Sequence, residues 1–304
     1  MNNLIMLVRR EYWENRSLWI APLIIAGIIL VLALFGFINA GDGNFSFGTV
    51  DAPRELGLHD LADSPEKQRG IYQGVMMGFT SIQLLVLGIV IFFYLLDALL
   101  AERKDRSILF WKSLPISDTE VVGSKLLTAL LVAPVFVLLV SAATQLLFGV
   151  IWWARMHSSP LGQMLIPFDA GAWLRVQGGT WMLAAATILW YAPLAAYLLL
   201  VSVWVRKNAF LWAVVPPVAI LAIEGLLMHS HHFGSFLARR LIGVYEIIGM
   251  DSGTGGSGPE SSPFSEFSGS VGAALVHWET WAGMAVAVAL VVATIRIRRY
   301  RDDS

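Results

Sequence analysis

The stretch LLTALLVAPVFVLLVSAATQLLFG, Leu126–Gly149, decides what kind of protein this is. It contains no charged side chain and is long enough, as a helix, to cross the roughly 30 Å hydrocarbon core of a bilayer, which takes about 20 residues. Five more long apolar runs flank it: about Leu18–Ile38, Val75–Leu96, Trp181–Val205, Phe210–Met228 and Gly272–Ile295. In lipid a backbone must satisfy its own hydrogen bonds, so each run reads as a helix. The fold class expected is all-α: a polytopic membrane protein with six transmembrane helices.

Composition agrees. The chain is 57% hydrophobic and 14% charged, against about 45–50% and about 25% in soluble domains. The net charge of −1 says nothing about nucleic acid, and no nucleic-acid partner is expected; with no cysteine there are no disulfides or thiolate metal sites. The first run is read as a retained span. Glu11 and Glu14 precede it, and the residues at its end, Ile38-Asn39-Ala40, are no cleavage site.

Charge sets the orientation. With the N-terminus inside, segments 1–17, 101–125, 206–208 and 296–304 carry 14 Lys and Arg in 54 positions; segments 39–74, 154–179 and 229–272 carry 7 in 106. This roughly fourfold bias places both termini in the cytoplasm. Trp19, Trp152, Trp153, Trp181, Trp204, Trp212, Trp278 and Trp281 fall near the ends of spans, where amphipathic rings prefer to sit.

Segment 1–17 has Leu4, Ile5, Val8 and Tyr12 at helical spacing among Arg9, Arg10, Glu11 and Glu14. It reads either as a plain basic anchor or as an amphipathic elbow helix in the inner interface. Between the last two spans, Phe233, Phe236, Leu237, Leu241, Val244, Tyr245 and Ile248 recur every three or four residues. That predicts a helix too short to cross, interfacial or re-entrant. A Gly/Ser-rich stretch, Asp251–Gly258, follows it. His229, His231 and His232 lie at the outer end of the fifth span. They are read as capping that end, and no metal site is assigned.

The cytoplasmic segment 101–125 is the most informative connection. Glu102, Arg103, Lys104, Asp105 and Arg106 extend the second span into water. Ile108, Leu109, Phe110 and Trp111 then form an apolar group outside the membrane. Burying such a group stabilises by about 1.5–3 kcal/mol per side chain, so it calls for something to bury against. Leu114-Pro115 ends the helix, because proline lacks an N–H and clashes with the preceding turn. Ser117-Asp118-Thr119-Glu120 is a capping box that starts a new helix at Ser117. Either the segment folds back on its own bundle, or it is a docking elbow for a cytoplasmic partner.

The sequence of N-terminal elbow, six spans and this loop resembles the permease subunits of type-2 ATP-binding-cassette exporters. Residues that carry the resemblance are Glu102-Arg103, Ser107-Ile108-Leu109, Leu114-Pro115-Ile116-Ser117 and Lys125. The family often has glycine where this chain has Ser107. The resemblance implies that 1–304 is a single transmembrane permease domain in a bacterial inner membrane. It implies that segment 101–125 holds the coupling helix, with Glu102, Arg103, Arg106, Ile108, Leu109, Phe110, Trp111, Leu114 and Pro115 facing a cytoplasmic ATP-binding cassette subunit. It also implies a second permease copy or related chain, export, and ATP and Mg bound by the partner. A helix between the last two spans is typical of the family.

No Gly-x-x-x-x-Gly-Lys-Ser/Thr loop occurs, so this chain has no cradle for ATP phosphates and needs a separate ATPase for such energy. Gly-x-Ser-x-Gly and His-Glu-x-x-His are likewise absent, and the neighbours His59 and Asp60 are not by themselves a catalytic geometry. An intramembrane enzyme is therefore the weakest reading. An accessory or assembly subunit without a transport path is an alternative. So is an ion-coupled secondary transporter, although no internal repeat is visible.

Two carboxylates lie in or near spans. Asp97, at the inner end of the second, reads as interfacial and solvated. Glu224 is deeper, and there an ionised group is costly. It is expected to be protonated, to face the bundle interior or to find a cationic partner, and Arg239 and Arg240 are candidate partners if the following loop folds back into the bilayer. Pro216-Pro217 is expected to bend or break the fifth span, and Pro134 and Pro193 to permit kinks in the third and fourth.

Overall fold

The computed structural model describes residues 2–36, 65–104, 116–156, 170–228, 232–247 and 277–300. Among them there are helices and no strand. In chain order they are α1 (Asn2–Glu14), α2 (Ser17–Gly36), α3 (Pro65–Lys104), α4 (Asp118–Leu127) and α5 (Ala133–Met156), then α6 (Ala170–Trp204), α7 (Ala209–Ile223), α8 (His232–Ile247) and α9 (Trp278–Tyr300). A π turn, Thr128–Val132, joins α4 to α5, and another, Glu224–Met228, extends α7.

Six stretches are long and apolar enough to span a membrane: Ser17–Leu34, Gln73–Lys104, Asp118–Ile151, Trp173–Trp204, Ala209–Leu226 and Trp278–Tyr300. Each falls on one of the six runs, so the chain is a multi-pass membrane protein. The helices outrun the apolar runs. α3 has 40 residues, about 60 Å at 1.5 Å per residue, because the polar segment after Pro65 is helical too. Ile28, Leu85, Val150, Val218 and Val288 are among many large apolar side chains left exposed. In water such a surface invites aggregation; toward lipid it is the surface required.

The helices form two compact units. One comprises Met1–Leu18, Gly88–Pro134 and Met182–Ser304; the other comprises Trp19–Leu87 and Val135–Trp181. In the second, Ala33, Met76, Phe148 and Val176 are buried together, with the Phe79 and Phe148 rings edge-on at 4.9 Å. A buried polar chain lies in the same unit. Thr80 and Ser141 hydroxyls are 2.6 Å apart, Gln145 Nε2 donates to Thr80 Oγ1 (2.9 Å), and Gln177 Nε2 donates to Gln145 Oε1 (2.6 Å). Such bonds hold helices together where lipid supplies no hydrophobic driving force. In the first unit the small residues Ala192, Ala196 and Ala287 bring α6 and α9 close, beside Leu130, Met284 and Leu290.

The prolines are absorbed locally. Near Pro134 the chain widens into the π turn, and the Ala133 N–H donates to Thr128 O. A π turn relieves the clash between a proline ring and the carbonyl below it. Of the bend or break expected at Pro216-Pro217, the break does not occur, since α7 runs through both. Pro217 leaves the Ala213 carbonyl without its usual donor, and the Tyr197 hydroxyl supplies one at 3.1 Å. Such replacement donors are how membrane helices tolerate proline. Between α6 and α7 the tight link ends at Asn208, whose φ of 56° is left-handed, a region asparagine enters more readily than most residues.

Candidate functional site

The chain leaves α3 at Glu102–Lys104 and returns at Ser117, and these two feet of segment 105–115 are fastened together. The returning foot is the predicted capping box. Ser117 Oγ accepts from the Glu120 N–H at 3.2 Å, and the Ser117 N–H donates to Glu120 Oε2 at 2.9 Å. This satisfies two donors at the start of α4 that have no partner within the helix. It also sets the rotation of α4, so that Asp118 and Lys125, seven residues apart, lie on one face.

Around that face is a buried network of charge. Lys125 Nζ bonds Glu11 Oε1 on α1 at 2.8 Å and pairs with Glu102 Oε1 on α3 at 3.0 Å. Arg298 on α9 reaches Glu102 Oε2 with Nη2 at 3.2 Å and Asp118 Oδ1 with Nε at 3.0 Å. The Tyr94 hydroxyl donates to Glu11 Oε2 at 3.0 Å. The Lys125 and Arg298 side chains are each only 3% exposed, and Glu102 9%. Moving charges from water into such a site costs several kcal/mol each, and the opposite charges at 2.8–3.2 Å offset part of it, while Arg298 Nε and Nη1 stay buried without a hydrogen bond of good geometry. Three acidic and two basic side chains therefore hold four helices at one end of the unit.

Arg103 makes a fifth connection. Its Nη2 donates to the Ser202 and Val205 carbonyls, both at 2.6 Å. These are C-terminal acceptors of α6, where a cation is favoured by unpaired carbonyls and the helix dipole. Ser202 Oγ in turn accepts from the Leu99 and Leu100 N–H groups at 3.0 and 3.1 Å.

Of the residues assigned to coupling from sequence, Glu102 and Arg103 are described, and both turn inward instead of extending the span into water as expected: Glu102 is buried against Lys125 and Arg298, and Arg103 bonds the carbonyls at the end of α6. Arg106, Ile108, Leu109, Phe110, Trp111, Leu114 and Pro115 lie outside the described residues, as do His229 and His231. The sequence reading left out Glu11, Tyr94, Asp118 and Arg298 as functional groups. A signal existed for two of them. Leu4, Leu7 and Glu11 share one face of α1, and Thr280, Ala287, Thr294 and Arg298 form one buried stripe along α9.

Asp97 is exposed, with only Lys104 nearby at 3.8 Å, an arrangement worth little. Glu224 is buried, but its described partners are not the expected arginines. Both carboxylate oxygens accept from the Phe233 N–H at 2.9 Å, and Oε2 also accepts from Gly234 at 3.1 Å. The free N–H groups and positive dipole end at the start of α8 stabilise an anion as a cation would. The arginines are engaged elsewhere. Arg239 pairs with Glu279 at 3.1 Å. Arg240 lies over the Trp190 ring at 4.5 Å and reaches the Glu279 carbonyl at 3.4 Å. Trp190 Nε1 and the Tyr191 hydroxyl donate to the Arg240 and Leu241 carbonyls at 3.0 and 2.6 Å, tying α8 to α6. Among the described residues no three His, Cys, Asp or Glu side chains are placed to hold a metal ion.

No protein-family model, curated protein or solved structure matches this chain.

Proposed function

We propose that this chain is the membrane-spanning permease subunit of an ATP-binding-cassette exporter, driven by a separate cytoplasmic ATPase and paired with a second permease copy. ATP and Mg belong to the ATPase. The observation that carries the reading is the fastening of both feet of segment 105–115 to one buried network. A loop that only connected two spans would not need it. A loop pushed by a motor does, because force on it must reach the helices and not be lost in bending.

The network suits that task. Separating any one of Glu11, Glu102, Lys125 and Arg298 from its partners leaves a buried charge without them, at a cost of about 3–5 kcal/mol, and less for Asp118, whose side chain is 29% exposed. The ends of α1, α3, α4 and α9 therefore move as one block. Closure of the ATPase displaces the apolar group Ile108–Trp111, and the block carries the displacement into the spans.

In this reading the network lies at the cytoplasmic side of a bacterial inner membrane with both termini inside, an orientation that the positive-inside bias of the sequence supports. α8 is re-entrant in this reading. Its anchor Trp190 lies fourteen residues before the inner end of α6 at Trp204, about 21 Å by helical rise, well within the bilayer.

The test is reconstitution of the chain with its ATPase in proteoliposomes. Trp111→Ala and Leu109→Asp are expected to uncouple ATP hydrolysis from transport while the spans stay folded. Transport at full rate with no ATPase present would falsify the proposal.

A further inference from the structure

α1 has a second apolar face that the network does not use. Its inward face carries Leu7 (6% exposed) and Glu11 (4%), held by Lys125 and Tyr94. On the opposite face Ile5, Met6 and Trp13 are 63%, 62% and 61% exposed. At 100° per residue these three fall within one third of the helix circumference. The buried Glu11 pairing prevents α1 from rolling to hide them. Three large side chains so exposed on a helix of 13 residues need an apolar medium.

Charge says which medium. Arg9 lies on the same face, between Met6 and Trp13, and Arg16 lies in the link that leads into α2; both are exposed. Neither makes an ion pair among the described residues. Their neighbour Arg10 does, with Glu14 at 2.9 Å. An exposed stripe of Ile, Met and Trp interleaved with unpaired arginines matches a surface with acyl chains just below and anionic groups just above. The span α2 begins at Ser17, directly after Arg16, which keeps the stripe at the edge of the bilayer.

We propose that this face of α1 is a binding site for anionic phospholipid headgroups, with Arg9 and Arg16 on the phosphates and Ile5, Met6 and Trp13 at the acyl boundary. It deepens the reading of α1 as an interfacial helix and does not depend on coupling to an ATPase.

Because the chain has no cysteine, Met6→Cys provides a single labelling site for an environment-sensitive fluorophore. The labelled full chain is placed in nanodiscs of neutral lipid that contain a minor fraction of a nitroxide-headgroup lipid, either anionic or zwitterionic. Each arginine near an anionic surface favours association by about fivefold, so the anionic quencher is expected to associate roughly 25-fold more strongly at low salt. In Arg9→Gln/Arg16→Gln the ratio falls to near one, with unchanged thermal stability because both side chains are exposed and unpaired. Inorganic phosphate in large excess leaves the quenching in place if the site reads lipid, and abolishes it if the site is a pocket for free phosphate, which overturns the proposal. Equal quenching by the two lipids overturns it too. So does a label that reports water and no quenching, since that face then belongs to water or to a protein partner. The assay contains no ATPase, so its failure leaves the coupling proposal standing.

Discussion

Replacing Lys125 by methionine tests the central network most directly. Methionine keeps most of the length and apolar bulk of the lysine stem and removes the ammonium. Lys125 is 3% exposed, with carboxylates at 2.8 and 3.0 Å. Its loss leaves Glu11 and Glu102 facing each other with no cation between them. Removing one partner of a buried pair costs about 3–5 kcal/mol. The low end applies, because Glu11 keeps the Tyr94 hydroxyl and Glu102 keeps Arg298. A loss of about 3 kcal/mol corresponds to a fall of roughly 6–12 °C in melting temperature by the scaling for large domains. The assay is thermal unfolding in detergent, followed by tryptophan emission. Adding Glu11→Gln to Lys125→Met removes one of the two stranded carboxylates and is expected to recover more than half of the loss. As a control, Lys104→Met breaks only the exposed 3.8 Å contact to Asp97 and should change stability by less than about 0.5 kcal/mol. The reasoning fails if Lys125→Met is as mild as Lys104→Met, or if the Glu11→Gln and Lys125→Met losses simply add.

Three further outcomes follow from other contacts. Arg298→Gln detaches α9 from Glu102 and Asp118; in proteoliposomes with the ATPase, hydrolysis should continue while transport per ATP falls at least tenfold, and an unchanged ratio would remove α9 from the lever. Tyr197→Phe strands the Ala213 carbonyl that Pro217 left free and should cost about 1 kcal/mol. In a Pro217→Ala background, where a backbone N–H returns, the same change should be nearly neutral by thermal unfolding. Gly283→Ala places a Cβ that overlaps Arg240 Nη2 and lies 2.8 Å from Cζ; it should cost about 1–3 kcal/mol. That cost should vanish when Arg240→Ala is already present, and persistence of the full cost would show that the strain lies elsewhere.

The parts of the structure legible in sequence are those set by local chemistry. Six long apolar runs imply six helices, because lipid leaves the backbone no other partner. The Ser117 cap was readable because both of its bonds span only three residues. The short helix α8 was readable from the repeat of Phe233, Phe236, Leu237 and Leu241. Of the two outcomes expected at Pro216-Pro217, a bend or a break, the break failed, since the donor that replaces a lost bond comes from Tyr197 on another helix. Pairing Glu224 with an arginine failed for a related reason. The positive end of a helix is a property of folded backbone, and no residue letter records it.

What the amino acids determined unaided, then, is the kind of solvent this chain lives in, the number of crossings, and the place where the chain must turn and restart. Each depends on neighbours within a turn or on the length of an uncharged run. The tertiary structure alone decided that Glu11, Glu102, Asp118, Lys125 and Arg298 meet. Those side chains come from four helices far apart in sequence, and the same letters on exposed faces would be ordinary solvated charges. Burial turns them into a joint, because where water is largely excluded the charges are held by one another and, at Glu11, by the Tyr94 hydroxyl.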